Sequence, residues 1–404
     1  MLSRRHFLQL ASATTLTASL PRFAWGANSE EDNRLILVIL RGGMDGLAAL
    51  APYDDPDYER IRAGLALPKP NQEGGVIDLD GSFGLNPAMA ALYPLYENKQ
   101  MACFHAIATP YRSRSHFDGQ DVLENGATSA ASYRNGWLGR ALEAAAGSEA
   151  AIAISPELPL VLQGAPNGTV SSWFSKRFQA EVDSDFIQQV MEMYRHDTML
   201  NPYFTQGIAA ENLANHSMSE DEKRKGGRAA NTRQFPQAAA TCASFLKQPN
   251  GPRIAVLETA GWDTHSNQGA NSGGLYRNLE ALSQGLALLP DALGQDIWKK
   301  TVVLVATEFG RTAAENGTRG TDHGTASAAF MLGGSIHGRQ VIADWPGLSP
   351  ASLYEGRDVA PTTDIRSLFK TVLHEHMHIS QSALNRHVFP DSGSVGLIRG
   401  LIKG

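Results

Sequence analysis

Cysteine, surplus positive charge and long apolar runs are all scarce in this chain. Its 404 residues include only 2 Cys, which excludes a disulfide scaffold. Cys103 and Cys242 could pair in an oxidising compartment, and two cysteines alone do not decide it. No stretch approaches the roughly 18 consecutive apolar residues of a spanning helix. With 35 Lys and Arg against 41 Asp and Glu, the formal charge is −6, a poor balance for binding nucleic acid in bulk. A Walker loop, a Rossmann glycine fingerprint and a G-x-S-x-G elbow are all missing, which disfavours phosphate-loop, dinucleotide-binding and serine-elbow enzymes. What remains is ordinary globular composition, 42% hydrophobic with 39 Gly and 20 Pro, in a chain long enough to bury a large core.

The N-terminus carries an address. Ser3-Arg4-Arg5-His6-Phe7-Leu8 is a twin-arginine pattern, followed by a mildly apolar stretch over 10–20. Ala24-Trp25-Gly26 then offers small residues for cleavage. We therefore expect residues 1–26 to be a signal peptide and 27–404 the mature protein, periplasmic or secreted through the twin-arginine machinery. Losing Arg4, Arg5 and Arg22 leaves the mature chain at −9. That route carries folded proteins, so it suits a passenger that takes up a metal before export.

Beyond the signal, strands and helices alternate. Residues 34–40 form a continuous Leu, Ile and Val run that stops at Gly42-Gly43, as a central strand covered on both faces does. Similar runs occupy 253–257 and 301–306, and between them Leu275, Leu279, Leu282, Leu286 and Leu289 follow helical spacing. Strand, helix and strand at that separation predict a βαβ crossover and a doubly wound, mostly parallel α/β sheet. Residues 183–240 read differently: helical and polar, with the charged run Asp221-Glu222-Lys223-Arg224-Lys225, they predict a helical cap inserted into one domain.

In open α/β sheets, ligands gather beyond the carboxyl ends of the strands. The polar residues following each predicted strand are Asp45 in Gly42-Gly43-Met44-Asp45-Gly46, then Asp263 and His265 in Gly261-Trp262-Asp263-Thr264-His265, then Glu308. A glycine-rich loop adds Asp322 and His323. Each piece alone also suits a plain turn or a helix cap. Jointly, carboxylates and imidazoles with no thiolate suit Zn²⁺ or Mn²⁺, because converging carboxylates need a cation to stay ionised. Downstream of the apolar run 101–107, Arg112-Ser113-Arg114-Ser115-His116-Phe117-Asp118 places Ser115 near a helix start, where amides and the dipole favour an anion. Arg112 and Arg114 could hold phosphate or sulfate there. Ser115 with Asp118 also reads as a capping box, and Ser113 is a rival nucleophile.

The motifs Arg41-Gly42-Gly43-Met44-Asp45-Gly46-Leu47, Arg114-Ser115-His116-Phe117-Asp118, Gly261-Trp262-Asp263-Thr264-His265, Glu308-Phe309-Gly310-Arg311-Thr312 and Asp322-His323-Gly324-Thr325 resemble, in this order, the bacterial family called domain of unknown function 1501. Its members are often exported by the twin-arginine route, and the resemblance spans nearly all of the mature chain. It implies an alkaline-phosphatase-like fold, in a superfamily that includes sulfatases, phosphomutases and phosphodiesterases. It further implies a two-metal site and a Ser or Thr nucleophile at a helix start. Carried onto this chain, Asp263, His265 and His323 resemble ligands of one metal, and Asp45, Ser115 and Glu308 those of a second. Ser115 is then the nucleophile, with Arg114 and His116 beside it in the catalytic set. The chain departs from the superfamily pattern twice. Glu308-Phe309-Gly310 stands where Asp-His-Gly is usual, which removes a histidine ligand, and Asp263 and His265 lie only two apart. Asp322 is placed to compensate.

His374-Glu375-His376-Met377-His378 also satisfies the H-E-x-x-H zinc-protease pattern. An N-cap at Asp364 and an apolar stripe through Ile365, Leu368, Phe369 and Val372 put it on a helix, with His374 and His378 on the solvent face. No downstream Glu supplies a third ligand, so protease chemistry is set aside. These observations describe an exported hydrolase of a small-molecule or glycan phosphate or sulfate ester, holding one or two Zn or Mn ions. The alternative is an envelope binding or assembly protein on the same fold without turnover.

Overall fold

The computed structural model describes residues 32–145, 150–167, 169–173, 184–197, isolated positions between 200 and 208, 232–249 and 251–403. The expected signal over 1–26 lies outside them, and so does much of the expected cap. Nine strands form the main sheet: β1 (Arg34–Arg41), β2 (Met101–Ala108), β3 (Ala151–Ile154), β4 (Val170–Trp173), β5 (Ile254–Ala260), β6 (Thr301–Thr307), β7 (Ser327–Leu332), β8 (Gln340–Ile342) and β9 (Thr363–Asp364). Their order is β8-β2-β7-β6-β1-β5-β3-β4, with β9 alongside β2. Strand β1 is parallel to both β5 and β6, and β7 alone runs antiparallel, between β2 and β6. The sheet is thus mixed and mostly parallel, as the sequence predicts.

The helices that matter for the site and its support are α1 (Gly46–Ala49), α2 (His116–Asn125), α3 (Trp137–Ala144), α4 (Ser184–Tyr194), α5 (Phe235–Leu246), α6 (Gly274–Ala287) and α7 (Ile365–Thr371). Because side chains alternate along a strand, β1 feeds two cores at once. Ile36, Val38 and Leu40 pack in one cluster with Phe235, Ala239 and Cys242 of α5 and the Leu275, Leu279, Leu282 and Leu286 stripe of α6. Leu35, Leu37 and Ile39 pack in the other with Trp137 and Leu138 of α3 and Leu368 and Phe369 of α7. Each of these β1 side chains is at most 2% exposed, and full burial of such a side chain is worth about 1.5–3 kcal/mol. The predicted crossover exists as β5-α6-β6, with β1 lying between its two strands.

Two expectations need adjusting, and the open question of the two cysteines is answered. Within the expected cap, α4 is helical as read, but residues 235–240 belong to α5, whose apolar residues cover the sheet as the crossover into β5. Cys103 on β2 and Cys242 on α5 are both buried free thiols. Asp364 does cap α7, accepting from the Arg366 amide, but the helix loosens into a π turn over Val372–His376 and ends. His378 falls past that end at φ 56°, so His374 and His378 are not one helical turn apart on a face. His376 is buried and donates from Nε2 to the Arg34 carbonyl.

Strands β1, β2, β5 and β6 point their carboxyl ends at one edge, and antiparallel β7 begins there. Loops 42–46, 109–115, 261–268 and 308–326 therefore meet at that edge. No helix among the described residues is long and apolar enough to cross a membrane.

Candidate metal centre

Glycine lets the loops close on each other. Gly42 follows β1 at φ +123°, and a Cβ there would sit 2.7 Å from the Asp263 amide nitrogen. Gly43, at φ +69°, likewise yields its side-chain space to the Phe309 ring. These two positions bring the first strand end against the two loops that carry the acidic and imidazole groups.

His116, Asp263 and His323 each turn a ligand atom inward, and those atoms lie within 4.8 Å of one another. His265 joins them: its Nε2 is 2.9 Å from Nε2 of His323 and 3.0 Å from a carboxylate oxygen of Asp263. The other ring nitrogen of every imidazole is tied to an oxygen. Nδ1 of His116 donates to Glu308 at 2.9 Å, Nδ1 of His323 to the Arg114 carbonyl at 2.8 Å, and Nδ1 of His265 to Asp322 at 3.1 Å. Oxygen acceptors on Nδ1 place the proton of a neutral ring there and leave a lone pair on Nε2. His116, His323 and Asp263 then face the same point, and Nε2 of His265 lies beside it, 2.9 Å from Nε2 of His323. Facing lone pairs repel unless a proton or a metal ion lies between them. The Nε2 atom of His116 is buried and meets only a carboxylate oxygen of Asp263, 3.4 Å away, a longer approach than a good hydrogen bond. Two imidazoles oriented through their far nitrogens and one carboxylate fit a Zn²⁺ donor set, with His265 adjacent as a further nitrogen.

The electrostatics keep the carboxylates ionised and favour a proton on His116, which a bound cation would have to displace. His116 is pushed above the usual histidine range, chiefly by its bond to Glu308. Burial pushes Glu308 up, but the bonds from His116 and the Gly42 amide outweigh it and hold the carboxyl below the ordinary range. Asp263 is likewise held low against its desolvation, by the buried guanidinium of Arg311 at 2.7 Å. Asp322 sits low because Asn316 and His265 donate to it. Burial drives His323 down, toward the neutral form that ligates metal.

The structure thus sorts the residues singled out in the sequence. Asp263, His265 and His323 come together as read. His116, expected in the catalytic set, turns its ring into the same cluster and stacks on Phe309 at 4.9 Å between centroids. Glu308 and Asp322 stand one layer out, each bonded to the far nitrogen of a cluster histidine. Asp45 is elsewhere: buried at the N-cap of α1, it accepts from Arg62 at 2.5 Å, from Gln268 at 2.6 Å and from the Ala48 amide. With Asp45 bound to Arg62, and Glu308 to His116, Gln120, Gly42 and Thr307, two of the three donors expected for a second cation are already engaged. Ser115 is the N-cap of α2, half-buried, and its side chain makes no capping bond. The capping box does not form because the Tyr111 hydroxyl stands in its place, accepting from the Ser115 amide and donating to Asp118. Arg114 is not a free anion clamp, since its guanidinium bonds Asp358 at 2.8 Å and Glu355 at 2.6 Å. Sequence reasoning missed Arg311, Arg62 and Gln268, which hold Asp263 and Asp45. Only the Arg in Glu308-Phe309-Gly310-Arg311 gave any signal.

No curated protein matches the chain. Solved structures similar to it include an alkaline phosphatase superfamily protein from Vibrio parahaemolyticus, at 9% identity over 92% of this chain and 75% of that one, TM-score 0.42. The C-terminal periplasmic domain of EcEptC from Escherichia coli, in complex with Zn, is similar at 11% identity over 95% of this chain and 96% of that one, TM-score 0.38. Ps i-CgsB in complex with k-i-k-neocarrahexaose is similar at 10% identity over 87% and 75%, TM-score 0.40. A family model described as "Protein of unknown function (DUF1501)" matches residues 86–389, and the chain belongs to that family.

Proposed function

We propose that this protein is a metal-dependent hydrolase of a phosphate or sulfate ester, exported by the twin-arginine pathway, with Ser115 as nucleophile. One observation carries the reading: two imidazoles anchored through Nδ1, His116 and His323, converge with Asp263 at the carboxyl edge of the sheet, and His265, anchored likewise, contacts both His323 and Asp263. His116, His265, His323 and Asp263 would hold one Zn or Mn ion. Such an ion supplies Lewis acidity toward an ester oxygen. Ser115 lies immediately before His116 as the N-cap of α2, next in the chain to a cluster histidine and at the positive end of the helix. In the proposed reaction Ser115 Oγ bonds to phosphorus or sulfur as the bond to the ester oxygen breaks, the serine proton ending on the leaving alcohol, and water then cleaves the seryl ester to release phosphate or sulfate and restore the hydroxyl. The Asp263–Arg311 pair keeps its carboxylate ionised and fixed.

The engaged guanidinium of Arg114 favours a second reading, a metal-binding envelope protein without turnover. Elemental analysis of the purified protein, with hydrolysis of p-nitrophenyl phosphate and p-nitrophenyl sulfate, separates the two. The hydrolase reading expects one equivalent of Zn or Mn per chain, lost in Asp263→Ala, and turnover lost in Ser115→Ala with the metal retained. Metal bound with no turnover of either ester leaves the binding protein, and no metal after reconstitution removes both.

A further inference from the structure

Asp45 follows the first strand, where the sequence reading expects a metal ligand, yet the structure ties it to the site only through intermediaries. We propose that Asp45 anchors a buried, polarised chain of side chains that fixes Arg311 and through it orients Asp263. This inference rests on the metal-centre reading for its consequence, but not for its geometry. Asp45, held by the fully buried Arg62, only accepts. The Gln268 amide must therefore turn its NH₂ group toward Asp45, at 2.6 Å, and its carbonyl oxygen away. That oxygen accepts from two threonine hydroxyls, Thr264 and Thr321, each at 2.7 Å. A Thr321 hydroxyl committed to donating presents its lone pairs to Arg311, whose Nε donates to it at 3.2 Å, while Nη2 donates to the Thr321 carbonyl at 2.6 Å. With two of its edges fixed, Arg311 directs Nη1 to Asp263 at 2.7 Å.

Asp45, Arg62, Gln268, Thr321 and Arg311 are each no more than 1% exposed, so water cannot replace a missing link. Each step has one consistent donor and acceptor, and the direction is set by the charge of Asp45. Asp45, Gln268 and Thr321 are thus positioning residues. They touch neither the cluster nor a substrate, and their effect reaches it through Arg311.

The test uses the full mature protein and Zn²⁺ alone as probe, in competition with a chromogenic chelator. Thr321→Val keeps the shape and removes the hydroxyl, and Thr321→Ser restores it. Ser327→Ala removes an equally buried hydroxyl, bonded to the Met44 carbonyl and outside the chain. A second readout needs no metal: the ¹⁵N-resolved Nε–H signal of Arg311, slow to exchange while its bond to Thr321 persists. The chain predicts that Thr321→Val loses this signal and binds Zn²⁺ about 10–100-fold more weakly, the range for residues that orient metal ligands. Thr321→Ser should recover both, and Ser327→Ala should change neither. Gln268→Met, which cuts the chain one link earlier, should behave like Thr321→Val and serves if that variant does not fold. An unchanged Arg311 signal and affinity in Thr321→Val, or equal weakening by Ser327→Ala, overturns the proposal. If the wild type takes up no Zn²⁺, the metal-centre reading fails, and the Arg311 signal still decides the chain.

Discussion

The main-chain carbonyl of Arg114 accepts a 2.8 Å hydrogen bond from Nδ1 of His323, a contact between loops 209 residues apart in sequence. Arg114 reaches it with φ at +59°, a conformation that disfavours a side chain and is held here by the bond of its guanidinium to buried Asp358. Arg114 is therefore a strut for His323.

Arg114→Gln should weaken Zn²⁺ binding about tenfold by freeing His323, the effect of losing a partner to a ligating imidazole. It should also destabilise the fold by about 1–3 kcal/mol, because Asp358, fully buried, keeps only its bond from Thr325 and the longer approach of Arg357. Zn²⁺ titration and thermal unfolding measure both. A raised KM for an anionic ester, with metal affinity intact, would return Arg114 to the role of substrate clamp.

Glu308 makes a sharper prediction. Its Oε1 collects His116, the Gly42 amide and Gln120, so its removal frees the His116 ring and leaves a buried amide unpaired. Glu308→Ala should lower Zn²⁺ affinity about 10–100-fold, whereas Glu308→Gln, which keeps an accepting oxygen, should stay much closer to wild type. If both variants lose the metal outright, Glu308 is itself a ligand.

The strands and the principal crossover were legible because a run such as Leu35–Leu40 has no polar face to present, and α6 carries its leucines at an unbroken helical step. The loops were legible as site-bearing for the same reason: each begins where a buried strand stops. What the sequence could not carry was the partner of each charge. Asp45 reads as a ligand until Arg62 and Gln268 are seen against it, and those contacts depend on how α1 and the 261–268 loop fold over one another. His116 reads from the sequence as a member of the catalytic set beside Ser115, and its ring direction follows from Glu308, 192 residues away. Arg311 and the Arg114 carbonyl gave still less signal, one being a single charge in a loop and the other a backbone atom.

Phe309 tests whether a missing histidine is what limits the metal count. Its ring packs on His116 and, at 5.2 Å, on His323, and it fills the space that Gly43 and Gly119 leave. Phe309→His places an additional imidazole beside His116 and His323. We expect the stoichiometry to stay at one metal per chain, because Asp45 remains bound to Arg62 and Glu308 to His116. Elemental analysis giving two equivalents would show that those carboxylates can be recruited.

Acid should destabilise the protein well before its carboxylates protonate. Burial pushes His105, which faces the Phe83 and Trp345 rings, down to about 4, and pushes His376, which donates to the Arg34 carbonyl, to about 4 as well. An unfolded histidine titrates near 6.5, so between these values the unfolded chain binds protons that the folded one refuses. The stability from these neutral rings is complete above about pH 6.5, falls as pH drops toward 4, and levels off below that. Taking ~1.4 kcal/mol per pKa unit, each ring contributes on the order of 3 kcal/mol across the window. His116, raised by Glu308, acts in the opposite sense, its contribution being full below about 6.5 and lost above its raised value. Urea unfolding of the metal-free protein at pH 7.0 and pH 4.5 should therefore show a clear loss at the lower pH. His376→Gln, which keeps a donor for Arg34 and cannot protonate, should remove about half of that loss. Equal stability at the two pH values, or a His376→Gln variant with the full wild-type loss, would mean that His376 takes a proton inside the fold.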